Sequence, residues 1–139
     1  MKPNGLWLSG LYKSKSKDRY WIDFILNEGL NNWYDPNKTR YFIIKYDKKN
    51  VLHLSTIKDI EEFSKKYYRK GNMIDWEQVA KDYKGIDISP YKKSLRFNKK
   101  YLWYYPWDCS SQCIWDFTII KDCIEINVDD IKKDLVFIK

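Results

Sequence analysis

The densest group of chemically capable side chains lies between residues 103 and 116. In order it reads Trp-Tyr-Tyr-Pro-Trp-Asp-Cys-Ser-Ser-Gln-Cys-Ile-Trp-Asp. Aromatic rings hold flat ligands and short polar groups orient them, so this composition is typical of a half-open pocket. The same residues also fit an aromatic core strand followed by a polar turn. The sequence leaves both interpretations open.

Two carboxylates are candidate catalytic groups. Asp108 lies inside the aromatic cluster, between an indole and a thiol. Asp87 ends a predicted strand that follows a helix, a place where open sheets often carry functional carboxylates. Loop capping is the alternative role for Asp87. The single histidine, His53, lies in an alternating strand and is expected to point outward without a catalytic role.

A second segment that could do chemistry is Gly5-Leu6-Trp7-Leu8-Ser9, which reads as a short buried strand. Side chains two residues apart on a strand share a face. The indole of Trp7 and the hydroxyl of Ser9 are therefore expected to point the same way.

Length and composition limit the class of protein. With 139 residues, of which 44% are hydrophobic, the chain is expected to form one domain over residues 1–139 with a core of its own. No run approaches the roughly 20 apolar residues of a membrane span, and the start lacks the apolar stretch of a secretory signal. These features favour a soluble, intracellular protein. Three cysteines and one histidine argue against a disulfide framework or a four-ligand zinc site.

The formal net charge is +7, and the basic residues are clustered. One group lies at 13–19, and the other comprises Lys92, Lys93, Arg96, Lys99 and Lys100. Basic residues near aromatic rings are typical of nucleic-acid binding. They also suit a small ligand that carries phosphate, and they occur on ordinary solvated surfaces.

The elements that must position these groups follow from periodicity and capping. Helices are predicted from Asp18 to about Glu28, after the Thr56/Asp59 capping box, and after the Asp75/Gln78 cap. Ile60, Phe63 and Tyr67 should face inward on the second helix. On the third, the inward residues should be Trp76, Val79, Ala80 and Tyr83.

Strands complete the predicted fold. A hairpin should join 41–46 to 51–54, and 86–88 should form a further strand. Strands are also expected near 101–105, 114–120 and 123–128, with Lys121-Asp122 as a tight turn. The fold class is therefore predicted as α+β: one compact domain with a mainly antiparallel sheet and two or three helices in the first two thirds.

Two stretches of the chain, residues 5–16 and 79–88, carry a resemblance to a known family. Both are similar to segments of ADP-ribosyltransferases related to the poly-ADP-ribose polymerases. The first is Gly5-Leu6-Trp7-Leu8-Ser9 followed by Ser14-Lys15-Ser16, which looks like the aromatic strand and serine-rich segment that hold the nicotinamide end of NAD⁺. The second, residues 79–88, is similar to a Tyr-Asp-Gly-aliphatic element of small members of that fold. The matches cover about a quarter of the chain. The family's strand histidine or arginine and its glutamate have no counterpart here.

The resemblance implies an NAD-binding protein that breaks the nicotinamide–ribose bond and transfers ADP-ribose to a macromolecular acceptor. It implies that Trp7 and Ser9 contact nicotinamide or ribose and that Asp108 or Asp87 replaces the glutamate. Lys2 or Arg96 would meet phosphate. The remaining implied NAD contacts are Trp107, Ser110, Ser111 and Trp115.

Two alternatives remain open at the level of the sequence. One is a non-catalytic module that binds RNA or DNA, with Trp103, Tyr105 and Trp107 stacking on bases and residues 92–100 following the phosphates. The other is a protein-interaction domain whose exposed aromatic residues contact a protein target.

Overall fold

The structure is a computed structural model that describes residues 2–9, 20, 21, 24, 35 and 38–127. Within these residues the strands are β1 (Leu6–Ser9), β2 (Tyr41–Tyr46), β3 (Val51–Leu54), β4 (Tyr68–Arg69), β5 (Met73–Ile74), β6 (Gly85–Ile88), β7 (Ser111–Ile114) and β8 (Ile120–Ile126). The helices are α1 (Ile57–Lys66) and α2 (Trp76–Asp82), with 3₁₀ turns at Lys93–Leu95, Lys99–Tyr104 and Phe117–Ile119.

The main sheet has the strand order β1-β7-β6-β3. β7 pairs antiparallel with both β1 and β6, whereas β6 and β3 are parallel. A second sheet pairs β2 with β8, and β4 with β5 forms a small hairpin. Antiparallel pairs thus predominate and both helices precede β6, which confirms the predicted α+β class.

The predicted pairing of 41–46 with 51–54 is wrong, although both segments are strands. β2 pairs with β8 instead, and β3 lies beside β6. The predicted turn between them is present, because the Val51 amide donates to the Lys48 carbonyl, but the two strands that it connects belong to different sheets. Leu54 is buried beside the fully buried Ile86 and Ile88, and this burial favours an interior parallel partner for β3.

Both helices begin where their caps predict. The Thr56 side chain accepts from the Asp59 amide, and the Asp59 carboxylate accepts from the Thr56 amide, so the capping box is complete. The Asp75 side chain caps α2 by accepting from the Gln78 amide. Val79 is buried as predicted, whereas Ala80 is exposed, because the inward face of this short helix is narrower than the spacing suggested.

The strand predicted near 101–105 is wrong, since Lys99–Tyr104 is a 3₁₀ segment capped by Asn98. The backbone is not helical at Tyr101, so the segment consists of two short 3₁₀ turns, and Tyr101, Tyr104 and Trp107 lie on them or just after them. All three are buried, and together with Trp103 they form part of the core. The rings of this segment are therefore mainly core residues rather than the walls of an open pocket.

The end of the chain also differs from prediction. β7 stops at Ile114, and a 3₁₀ turn capped by Asp116 follows, where a strand was expected to 120. Lys121 and Asp122 lie inside β8, so the tight turn predicted there is wrong; the Asp116 cap makes the turn earlier. The helix predicted from Asp18 to Glu28 falls largely outside the described residues. Within this stretch the structure describes Tyr20, Trp21 and Phe24, and the last two are helical.

Candidate functional site

A cavity of about 170 Å³ lies at the end of β1 and the start of β7, which are paired side by side. Its lining combines two indoles, two hydroxyls, one carboxylate and one ammonium group with two less polar residues. The lining residues are Lys2, Trp7, Leu8, Ser9, Trp21, Asp108, Cys109 and Ser111.

Strand register brings the two halves of the cavity together. Ser9 is the cross-strand partner of Ser111, and Trp7 is the partner of Cys113. Cross-strand partners share a face of the sheet, so Trp7, Ser9 and Ser111 point to the same side. The predicted common face of Trp7 and Ser9 thus becomes one wall of the cavity.

The aromatic wall is rigidly supported. The Trp7 ring centroid lies 4.8 Å from that of Trp107, and the two planes are tilted by 59°. Trp107 is fully buried, so it fixes the orientation of Trp7 rather than contacting a ligand directly. The Lys2 Nζ atom lies 4.7 Å from the Trp7 ring centroid, which places a cation beside the indole at the cavity.

Asp108 is held in place by an arginine. Arg96 Nη2 donates to Asp108 Oδ1 at 2.7 Å, and the two side chains are 21% and 22% exposed. No described residue bonds to the other carboxylate oxygen, Oδ2. Asp108 therefore offers the cavity an acceptor whose position is fixed by Arg96.

Local hydrogen bonds orient the two serines. The Ser9 hydroxyl accepts from the Trp21 amide at 3.3 Å, which brings the second indole to the cavity. The Ser111 hydroxyl donates to the Cys109 carbonyl at 3.1 Å. The Ser111 hydroxyl keeps acceptor capacity for a ligand, since a hydroxyl oxygen has two lone pairs.

Four of the implied ligand contacts do not line the cavity: the buried Trp107, and Arg96, Ser110 and Trp115. Arg96 contacts Asp108 from behind it. Ser110 is fully buried, and its hydroxyl accepts from the Tyr91 amide at 2.8 Å. Trp115 lies beyond the far end of β7, about 13 Å along the strand from Ser111, and its indole N–H donates to the Tyr83 carbonyl.

Asp87 lies on the other face of the sheet. It pairs with His53 on β3 and with Gln112 on β7. Because neighbouring side chains on a strand point to opposite faces, Gln112 and its partner Asp87 face away from Ser111. Its Oδ1 atom accepts from the Ser89 hydroxyl at 2.8 Å and from the Gln112 amide at 3.1 Å. The two candidate carboxylates are thus separated by the sheet and do not share one site.

The group around Asp87 resembles a serine–histidine–aspartate set but lacks its geometry. His53 is exposed, and its Nε2 atom lies 2.8 Å from the Ser89 carbonyl, an acceptor to which it must donate. A nitrogen that carries this proton does not accept one from the Ser89 hydroxyl. That hydroxyl donates to Asp87 instead, so the contacts tie β3 to the turn after β6.

The cysteines are free thiols. Cys109 and Cys113 are buried, and Cys123 is exposed. Burial raises the pKa of Cys113 to about 12, with a smaller opposing effect from the Lys2 charge. At neutral pH this thiol is protonated, which argues against a nucleophilic role for it. Within the described residues no group of three or more His, Cys, Asp and Glu side chains could hold a metal ion.

Sequence reasoning missed three cavity residues: Leu8, Trp21 and Cys109. Trp21 lies in the helix predicted from Asp18 to about Glu28, and its side chain is 45% exposed. Leu8 carries no polar group, and the pairing of β1 with β7 brings it beside the segment that contains Cys109.

Comparison with protein-family models, with curated proteins and with solved structures finds no match to this chain. In the part of the chain that the structure describes, no helix has the length and apolar character needed to cross a membrane.

Proposed function

We propose that this protein is an ADP-ribosyltransferase-like protein whose cavity binds the nicotinamide end of NAD⁺. The observation that carries the proposal is the convergence of Trp7, Ser9, Ser111 and Asp108 on one cavity, with Lys2 beside them. Trp7 and Ser9 are the residues that the resemblance assigns to nicotinamide and ribose.

The size of the cavity suits part of a dinucleotide. Pockets for drug-sized ligands span about 300–1,000 Å³, and an apolar cavity of about 150 Å³ holds benzene. At about 170 Å³ this one matches a single ring with a small substituent. The ribose, pyrophosphate and adenosine would extend over the surrounding surface.

Each group has a role that its geometry allows. The nicotinamide ring would stack on Trp7, and its carboxamide would bond to the hydroxyls of Ser9 and Ser111. The Lys2 ammonium would attract the pyrophosphate. Asp108 Oδ2 would accept from a ribose hydroxyl.

The proposed reaction begins with heterolysis of the nicotinamide–ribose bond. The bonding electron pair leaves with nicotinamide, and positive charge develops on the ribose ring. A carboxylate near that ring stabilises the charge electrostatically. A nucleophile from the acceptor then bonds to the ribose carbon and loses its proton.

Isothermal titration with NAD⁺ tests the binding step. Loss of one neutral hydrogen bond amounts to about 0.5–1.5 kcal/mol, so Ser9→Ala and Ser111→Ala should each weaken binding about threefold to tenfold. Ser94→Ala, a change at an exposed serine outside the cavity, should leave the Kd unchanged. Equal affinities in all three variants and the wild type would remove the cavity assignment.

Nicotinamide release from NAD⁺ tests the chemistry. Asp108→Asn should abolish nicotinamide release. The matched control Asp122→Asn, which replaces a carboxylate on β8, should leave the release unchanged. Undiminished release by Asp108→Asn would remove the assignment of Asp108. If NAD⁺ binds the wild type without release, the protein is a binding protein rather than a transferase.

A further inference from the structure

A basic aromatic surface lies outside the cavity, on residues 92–105. Phe97 is 76% exposed, Tyr105 is 53% exposed, and their ring centroids are 5.9 Å apart. Leu102 is also exposed. Single exposed apolar residues are common, but adjacent exposed rings mark an interaction surface.

The charge on this surface has one sign. Residues 88–107 contain five basic residues and no acidic ones. Arg96 and Lys100 are paired with acids from outside this stretch, Asp108 and Glu61. Lys92, Lys93 and Lys99 form no ion pair with any described residue, so their charges are free to meet an anionic partner.

One cation contacts both exposed rings, and two lysines lie close to them in the chain. The Arg96 guanidinium carbon lies 5.5 Å from the Phe97 ring centroid and 5.9 Å from that of Tyr105. Lys93 lies on the N-terminal side of this group along the chain, and Lys99 lies on the C-terminal side. This combination of flat rings with flanking cations is the arrangement by which proteins bind unpaired nucleic-acid strands.

We propose that the basic aromatic surface binds single-stranded nucleic acid, with bases on Phe97 and Tyr105 and phosphates near Lys93 and Lys99. An acidic protein would also meet the lysines, and competition with polyglutamate distinguishes it from a nucleic acid. A duplex keeps its bases stacked on one another and offers these rings no base face. The proposal does not depend on NAD⁺ binding.

Fluorescence anisotropy with labelled oligouridine tests the proposal. Phe97→Ala and Tyr105→Ala should each weaken binding about tenfold, because stacking contributes about 1–3 kcal/mol per base. Phe117→Ala is the matched control, since Phe117 is 60% exposed but lies outside the surface. All three changes are at exposed side chains, and circular dichroism would verify that each variant is folded.

The salt dependence tests the phosphate contacts. The slope of log K against log salt is about −0.7 per phosphate contact for single strands, so Lys93→Gln with Lys99→Gln should reduce its magnitude by about 1.4. The control pair, Lys45→Gln with Lys121→Gln, removes the same charge from the β2–β8 sheet.

The outcomes separate the proposal from its competitors. Loss of affinity in the ring variants, with both controls binding like the wild type, supports it. Equal effects of the two lysine pairs would mean that the affinity depends only on the net charge of the protein, and this would overturn the proposal. Competition by polyglutamate as strong as that by unlabelled oligouridine would also overturn it, in favour of an acidic protein partner.

Discussion

Replacing Asp108 by alanine should destabilise the protein far more than replacing an acid in an exposed ion pair. Arg96 Nη2 lies 2.7 Å from Asp108 Oδ1, and both side chains are nearly four-fifths buried. The Arg96 Nε atom is itself buried without a hydrogen-bond partner among the described residues. Removing the carboxylate would leave a largely desolvated guanidinium with no anion beside it.

The size of the effect follows from this partial burial. Breaking a fully buried pair costs about 3–5 kcal/mol, whereas exposed pairs contribute about 0–1 kcal/mol. An intermediate site should cost about 2 kcal/mol. For a chain of this length, that corresponds to a fall in Tm of roughly 8 °C. Urea denaturation should show a lower midpoint with an unchanged m-value.

Glu61→Ala provides the matched control. The Lys100–Glu61 pair has a similar N–O distance, 2.8 Å, but its side chains are 58% and 36% exposed. Alanine also suits the helical position of Glu61. This variant should unfold close to the wild-type midpoint. If the two variants lost equal stability, the argument that burial strengthens the Arg96–Asp108 pair would be refuted.

Three further predictions concern the fold. Thr56→Ala should cost about 1 kcal/mol by removing the N-cap of α1, measured by urea denaturation. Iodoacetamide at pH 8 should modify Cys123 in the folded protein and spare Cys113. The pKa of Cys113, about 12, leaves this thiol with about a thousandfold less thiolate than an ordinary thiol, and burial limits access to it further. Gly5→Ala should lower Tm, because its new Cβ would lie 2.5 Å from the Ile114 carbonyl oxygen.

Each of these has its own contradicting result. An unchanged midpoint for Thr56→Ala would mean that the capping box does not form in solution. Labelling of Cys113 at the rate of Cys123 would mean that β7 is not buried. A wild-type Tm for Gly5→Ala would show that β1 and β7 are not packed as closely as the structure has them.

The helices were predictable because their signals are local. The capping box that starts α1 lies within four residues, and the buried Ile60 and Phe63 follow at helical spacing. Strand pairing carries no such local signal. β2 pairs with β8, some eighty residues further along the chain, and nothing in either strand's own pattern names the partner.

The aromatic segment shows why periodicity can mislead. Tyr101, Trp103 and Tyr105 alternate as in a strand, while Tyr101, Tyr104 and Trp107 recur every third residue. Both patterns are present because nearly every position is aromatic. The structure follows neither pattern in full. Trp103 and Tyr104 are both buried, Tyr105 is on the surface, and the backbone forms two 3₁₀ turns joined at Tyr101.

The candidate site was predictable only in part, for the same reason. The common face of Trp7 and Ser9 follows from the two-residue period of a strand. Their approach to Asp108 and Ser111 depends on a pairing between segments about a hundred residues apart. The separation of Asp87 from Asp108 likewise depends on the register of the sheet, which neither carboxylate's sequence context encodes.

Titration with NAD⁺, read by tryptophan fluorescence at low and high salt, shows whether the cavity binds a nucleotide. Trp7 and Trp21 line the cavity, so a ring bound there should quench them saturably. Binding in the cavity should give quenching by NAD⁺ that survives high salt and is lost in a Trp7→Phe, Trp21→Phe double variant. Tryptophan fluorescence that does not change with NAD⁺ would contradict the proposed transferase and leave the nucleic-acid surface to be tested by anisotropy.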